Sequence, residues 1–135
     1  MSDFGALVLK PGLTGEASVT VTDAMTAAAL GSGNVSAYST PALVALLEAA
    51  AINALEGRLA EGQTTVGTSL NVRHLAATPV GMVVTARATL KEIDGRRLVF
   101  EVSASDPVER IGEGTHERFI VDRARFENRV RVKGT

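Results

Sequence analysis

The segment from Ser39 to Leu59 constrains this chain more than any other. Ser39 and Thr40 are residue types whose side-chain oxygens cap helix N-termini, and Pro41 suits the first helical position, where its missing N–H has no partner to lose. From Ala42 to Ile52 every residue is apolar except Glu48, and no glycine intervenes before Gly57. A helix that is apolar on every face is normally buried on every face. A chain of 135 residues has room for one domain rather than two. This helix is therefore expected at the centre of a single domain spanning 1–135, with the rest of the chain wrapped around it.

The rest alternates with the period of a strand. Ala17, Val19 and Val21 share one face of Glu16–Thr22, and Val66, Thr68, Leu70 and Val72 share one face of Thr64–Arg73. Met82–Ile93, Arg97–Ser105 and Ile111–Val121 read as three further strands. Pro79-Val80-Gly81, Asp94-Gly95 and Asp106-Pro107 supply turns between them. Ala27–Ser39, with Gly31, Gly33 and Asn34, reads as a mobile loop, and the basic Arg123–Lys133 as a short helix or tail. The order is β-α-β-β-β-β with short links, which favours an antiparallel sheet packed on one helix, an α+β fold. Such a sheet has exposed edges, and pairing of two sheets into a dimer would cover them.

Composition narrows the chemistry. There is no cysteine, which excludes disulfides, thiolate metal sites and cysteine nucleophiles. With only two histidines, a catalytic metal site is not expected either. Fourteen basic against fifteen acidic residues lack the basic excess of a general nucleic-acid binder. No apolar run is long enough to span a membrane, and Met1–Gly5 lacks the basic-then-apolar pattern of a leader, so a cytoplasmic protein is expected. Twenty alanines make the core thin in large side chains, and aromatics are scarce, with four Phe, one Tyr and no Trp.

Within this frame a few polar residues stand out. Glu48 has Val44, Ala45, Ala51 and Ile52 as helical neighbours, where an unpaired carboxylate is costly to bury. It either reaches solvent or a partner, or it belongs to a site. His74 ends a strand; beside a buried acid it would be a proton-transfer group, and otherwise a surface side chain. Thr40 is either a helix cap or a hydroxyl facing a substrate carbonyl. It lies about 12 Å from Glu48 along the helix axis. His116 and Arg118 share one strand face, with Glu117 on the other. Arg118 could bind phosphate or carboxylate, or form a cross-strand ion pair. The arginines of 123–133 form a solvated face or attract the phosphates of a polyanionic ligand.

These residues resemble a known pattern. The blocks Thr40–Glu48, Val66-Gly67-Thr68 through His74–Pro79, Gly95–Leu98 and Ile111–Arg118 are similar, in residue type and spacing, to the hotdog-fold acyl-CoA thioesterases, most of all the fluoroacetyl-CoA thioesterase branch. The resemblance implies an antiparallel sheet wrapped around a central helix, working as a homodimer, or a dimer of dimers, with active sites at the protomer interface. It puts the catalytic threonine, glutamate and histidine on Thr40, Glu48 and His74. The backbone-contact glycine falls on Gly67, a pocket arginine on Arg118, and Tyr38 joins the substrate side. It implies an acyl-CoA substrate and no cofactor. One departure concerns specificity: the aromatic lid before the catalytic threonine is replaced by Gly31–Ala37, with only Tyr38 aromatic, so fluoroacetyl selectivity is not expected. Two other readings suit the same residues, an enoyl-CoA hydratase-type hotdog enzyme and a non-catalytic binder of acyl-CoA or another small ligand.

Overall fold

Ser39 starts the central helix. Its Oγ accepts the Ala42 N–H at 3.1 Å, and Pro41 occupies the first turn. In the computed structural model, which describes residues 9–135, this helix is the second of three: α1 (Ala27–Leu30), α2 (Thr40–Ala54) and α3 (Arg123–Lys133). The Met1–Gly5 segment read above for a leader lies outside the described residues. α2 stops before the expected Leu59, because the backbone turns at Leu55 and Gly57 takes the left-handed conformation with φ 73°.

Five strands pair antiparallel in the order β1-β3-β4-β5-β2: β1 (Thr14–Thr20), β2 (Gln63–His74), β3 (Val83–Asp94), β4 (Arg97–Ser105) and β5 (Arg110–Asp122). Period-2 patterning puts Val84, Ala86, Ala88 and Leu90 of β3, and Leu98, Phe100, Val102 and Ala104 of β4, on the buried face. Against them α2 packs Leu43, Leu47, Ala50, Ala51 and Ala54. The many alanines let helix and sheet approach closely. At Gly15 even a methyl group is too much, since a Cβ there would run into the backbone of Ala50 and Ala54. Asp94-Gly95 makes the expected tight turn, Gly95 having φ 62°.

Two expectations change. The helix was expected to be buried on every face, but Ala45 is exposed, Ile52 is 50% exposed, and the Glu48 side chain between them is 35% exposed. One five-stranded sheet covers only one side of a helix, and an apolar stripe is left open. The second change concerns 27–39, read as a loop. It contains the short α1, capped by the Thr26 hydroxyl, and is tied down by isolated bridges Thr26–Tyr38 and Ala37–Pro79. α3 is capped by Asp122, whose carboxylate accepts the Arg125 N–H at 3.0 Å, and buries none of its own side chains. Among the described residues no helix is long and apolar enough to cross a membrane.

Candidate active site

Because Ser39 takes the cap, the Thr40 hydroxyl is released for another partner. It lies 2.8 Å from Nδ1 of His74, which ends β2. The other ring nitrogen, Nε2, is buried with no hydrogen-bond partner among the described residues. Burial lowers the His74 pKa below 6.5, and the Ala76 backbone offsets this only in part. The segment after His74 is held by Thr78, fully buried, whose hydroxyl donates to Asp106 Oδ2 at 2.8 Å and whose carbonyl accepts the Tyr38 N–H at 2.9 Å. The expected turn at Asp106-Pro107 thus anchors the histidine loop, a coupling that sequence spacing does not reveal.

Thr40 and His74 border a cavity of about 410 Å³ whose other walls include Ser32, Gly33, Val35 and Ala37. Tyr38 lines it from below. Its side chain is 3% exposed, its hydroxyl donates to the Ala42 carbonyl at 3.1 Å, and burial pushes its pKa up to about 12. The single aromatic ring of this stretch is therefore turned inward, and the cavity's exposed apolar side chains, Val35 and Leu75, are aliphatic.

Glu48 sits elsewhere, two turns along α2. Arg118 Nη1 donates to its Oε2 at 3.1 Å, an ion pair running from helix to sheet and not across strands. Arg118 is 5% exposed and is fixed from the other side by Thr65, with Nε donating to Oγ1 at 2.9 Å and Nη2 to the carbonyl at 3.1 Å. Glu48 is accordingly paired, and the contacts to its carboxylate fall on Oε2. Gly67 makes this approach possible: a Cβ there would come within 2.5 Å of Glu48 Oε2 and 3.2 Å of Arg118 Nη1. The β2–β5 ladder slips between Gly67 and Ser69, a bulge that re-aims the strand at this point.

His116 belongs to this cluster, although nothing in its sequence context marked it beyond sharing a face with Arg118. It is fully buried, with Nδ1 2.8 Å from the Ser69 carbonyl and Nε2 3.2 Å from Arg118 Nη1. A carbonyl can only accept and a guanidinium can only donate, so Nδ1 carries the proton and the ring is neutral. Burial first, and then the charge of Arg118, hold its pKa below 6.5, against the opposing pull of the Ser69 carbonyl and Glu48. The 4.0 Å approach of His116 Nε2 to Glu48 is therefore not an ion pair. Glu117 points to the other face and pairs with Arg97 at 2.9 Å.

The structure thus gathers Glu48, Gly67 and Arg118 at mid-β2, and Thr40, His74 and Tyr38 at its end. Gly67 and His74 are seven residues apart, about 23 Å along a strand, so within one chain the two groups do not meet. Among the described residues no group of three or more metal-ligating side chains is arranged to hold an ion.

Comparisons with known proteins place the fold and the family. The model of the fluoroacetyl-CoA-specific thioesterase family, FlK, matches residues 21–124. A fluoroacetyl-CoA thioesterase from Streptantibioticus cattleyicolor is 43% identical over 96 residues, covering 71% of this chain and 69% of that protein. A point variant of FlK solved in complex with acetyl-CoA superposes with a TM-score of 0.89 at 33% identity, covering 94% of this chain and 100% of the other. A thioesterase superfamily member from Thermus thermophilus, 28% identical, gives a TM-score of 0.86 and covers 93% of each chain. The sheet-wrapped helix, the family match over most of the chain and the 43% identity together show that this chain belongs to the fluoroacetyl-CoA-specific thioesterase family of hotdog-fold enzymes.

Proposed function

We propose that this chain hydrolyses a small acyl-CoA thioester to the free acid and CoA, as one domain working in a cytoplasmic homodimer without a cofactor. The observation that carries the reading is the Glu48 carboxylate, held against the Gly67 backbone by Arg118 through Oε2 at 3.1 Å. An ionised carboxylate in a partly covered pocket can activate water for attack on the thioester carbonyl, or attack directly to give an anhydride that water then opens. Backbone N–H groups at the Gly67 bulge or at the start of α2 would stabilise the oxyanion, worth about 3–4 kcal/mol per donor. His74, oriented through Nδ1 by Thr40, presents Nε2 either as the base that takes a proton from the attacking water or as the acid that then passes that proton to the leaving thiolate.

Dimerisation would bring the two halves together. β2 is an edge strand, and the apolar stripe of Ala45, Ala49 and Ile52 lies open on the same side as Glu48. Antiparallel pairing of two β2 strands about an axis between Leu70 and Asn71 sets residue 67 of one copy opposite residue 74 of the other. Each site then takes Glu48, Gly67 and Arg118 from one protomer and Thr40 and His74 from its partner. The rim residues Ser32, Gly33, Val35, Ala37 and Leu75 supply no aromatic gate, so selectivity for fluoroacetyl over acetyl is not expected.

Release of CoA from fluoroacetyl-, acetyl- and phenylacetyl-CoA tests the reading. Hydrolysis that Glu48→Ala and His74→Ala each abolish supports it; tight CoA-ester binding without turnover, or unaffected variants, refutes it. Oxygen-18 appearing in Glu48 during a single turnover marks the anhydride route. Mixing the two inactive variants tests the shared site. Random exchange makes half the dimers hybrid, each with one intact site, so activity should return to about a quarter of wild type. No recovery in subunits shown to exchange would place each site within one chain.

A further inference from the structure

The outer surface holds a second cleft, about 550 Å³, between α3 and the end of β5. That volume lies within the range of about 300–1,000 Å³ usual for small-molecule sites. Three guanidinium groups reach it. Arg125 and Arg129 lie one helical turn apart on α3, and Arg96 stands at the β3–β4 turn with Nη1 donating to the Ile120 carbonyl at 3.3 Å. Among the described residues none of the three has a carboxylate within 4.0 Å. In the larger cavity on the sheet face, about 620 Å³, two of the three arginines, Arg87 and Arg110, are already paired with Glu16 and Glu113 at 3.0 and 3.3 Å, which among the described residues leaves Arg73 alone there. The one acid at the α3 cleft, Asp122, spends a carboxylate oxygen capping α3.

Aromatic rings stand beside these cations. The chain has only five aromatic side chains, and two of them, Phe119 and Phe126, line this cleft. Phe119 is 40% exposed on the outer face, although burial would favour it elsewhere. The Arg129 guanidinium sits 5.7 Å from the Phe126 ring centroid. Unpaired guanidiniums recognise phosphate, and exposed rings stack on a base. Phe119 follows Arg118 on β5 and so faces the other side of the sheet; β5 ends at Asp122, about 13 Å along the strand from the arginine that holds Glu48, a span that a pantetheine arm rounding the end of the strand can bridge.

We propose that the cleft between α3 and β5 binds the phosphorylated adenosine end of the CoA substrate, with Arg96, Arg125 and Arg129 on the phosphates and Phe119 and Phe126 against the base. This rests on the CoA-thioester reading above, and names where the non-reacting end of that substrate is held.

Calorimetry on the intact protein with CoA, adenosine 3′,5′-bisphosphate, pantetheine and inorganic phosphate tests it. CoA should bind about tenfold or more tightly than pantetheine, and added salt should narrow that gap. In Arg125→Glu/Arg129→Glu, a double change of two exposed side chains, the advantage of CoA should vanish, the bisphosphate should lose about tenfold or more in affinity, and KM for the CoA ester should rise with little change in kcat. Phe119→Ala should weaken the bisphosphate but not inorganic phosphate. The proposal is overturned if the double variant binds CoA as wild type does, if inorganic phosphate competes as well as the bisphosphate, or if the variant changes the mass of the assembly. Any of these in a protein that still hydrolyses acyl-CoA leaves the thioesterase reading intact; absence of hydrolysis in wild type removes that reading instead.

Discussion

Glu48 owes its position to a side chain that is missing. Gly67 leaves the space into which the carboxylate and Arg118 converge, and Gly67→Ala would place a Cβ 2.5 Å from Oε2. Displacing a reacting group by about 1 Å costs on the order of a hundredfold in rate. Gly67→Ala should therefore lower kcat/KM by about that factor while the circular dichroism spectrum stays that of wild type. Arg118 in turn depends on a neutral acceptor at His116 Nε2 and on Thr65. Both histidines have pKa values held below the ordinary 6.5 by burial. The sign follows: the neutral imidazoles persist in the folded protein below pH 6.5, where the unfolded chain already binds protons. Stability is therefore full above 6.5 and falls as pH drops below it. The thermal midpoint should decline in that window, and His116→Gln, which keeps an uncharged acceptor, should flatten the decline. If the acid limb of kcat/KM lay above 6.5 for hydrolysis of acetyl-CoA, the environment assigned to His74 would be wrong.

At the scale of elements, the cap and the turn do the positioning. Ser39 ends the helix so that Thr40 points at His74, and removing an N-cap oxygen costs about 1 kcal/mol. Ser39→Ala should lower stability to chemical denaturation by about that amount and reduce kcat more than KM, since Thr40 loses its fixed aim. A variant with lowered stability but wild-type kcat would show that the cap serves the fold alone. Strand periodicity and turn residues made β2 to β5 legible within a residue or two, because alternation and the Asp94-Gly95 turn act locally. α2 ends five residues before Leu59 because Leu55 and Gly57 turn the backbone, although helical composition continues past that point. The Ala27–Ser39 segment reads as a mobile loop in sequence because bridges from Tyr38 to Thr26 and from Ala37 to Pro79, not local propensity, order it.

At the scale of the molecule, one sheet covers one side of α2, and Ile52 remains 50% exposed beside Glu48. An apolar stripe next to an unpaired edge strand is the surface that a second copy would bury. Ile52→Asp should shift the assembly toward monomer in light scattering and abolish hydrolysis together with dimerisation. A monomeric variant that remained active would refute the shared site.

The sequence by itself determined the apolar helix, the alternating strands, the absence of cysteine chemistry and the one carboxylate out of place on that helix, because each follows from residue type and from neighbours a few positions apart. His116 and Arg118 could be put on one face for the same reason. Only the tertiary structure decided that Glu48 meets Arg118 across 70 residues of chain, that Thr40 meets His74 across 34, and that Tyr38 turns inward while Phe119 turns out. Those outcomes depend on strand order, a bulge and the fit of glycine against carboxylate. Such long-range packing has no local pattern from which it can be read.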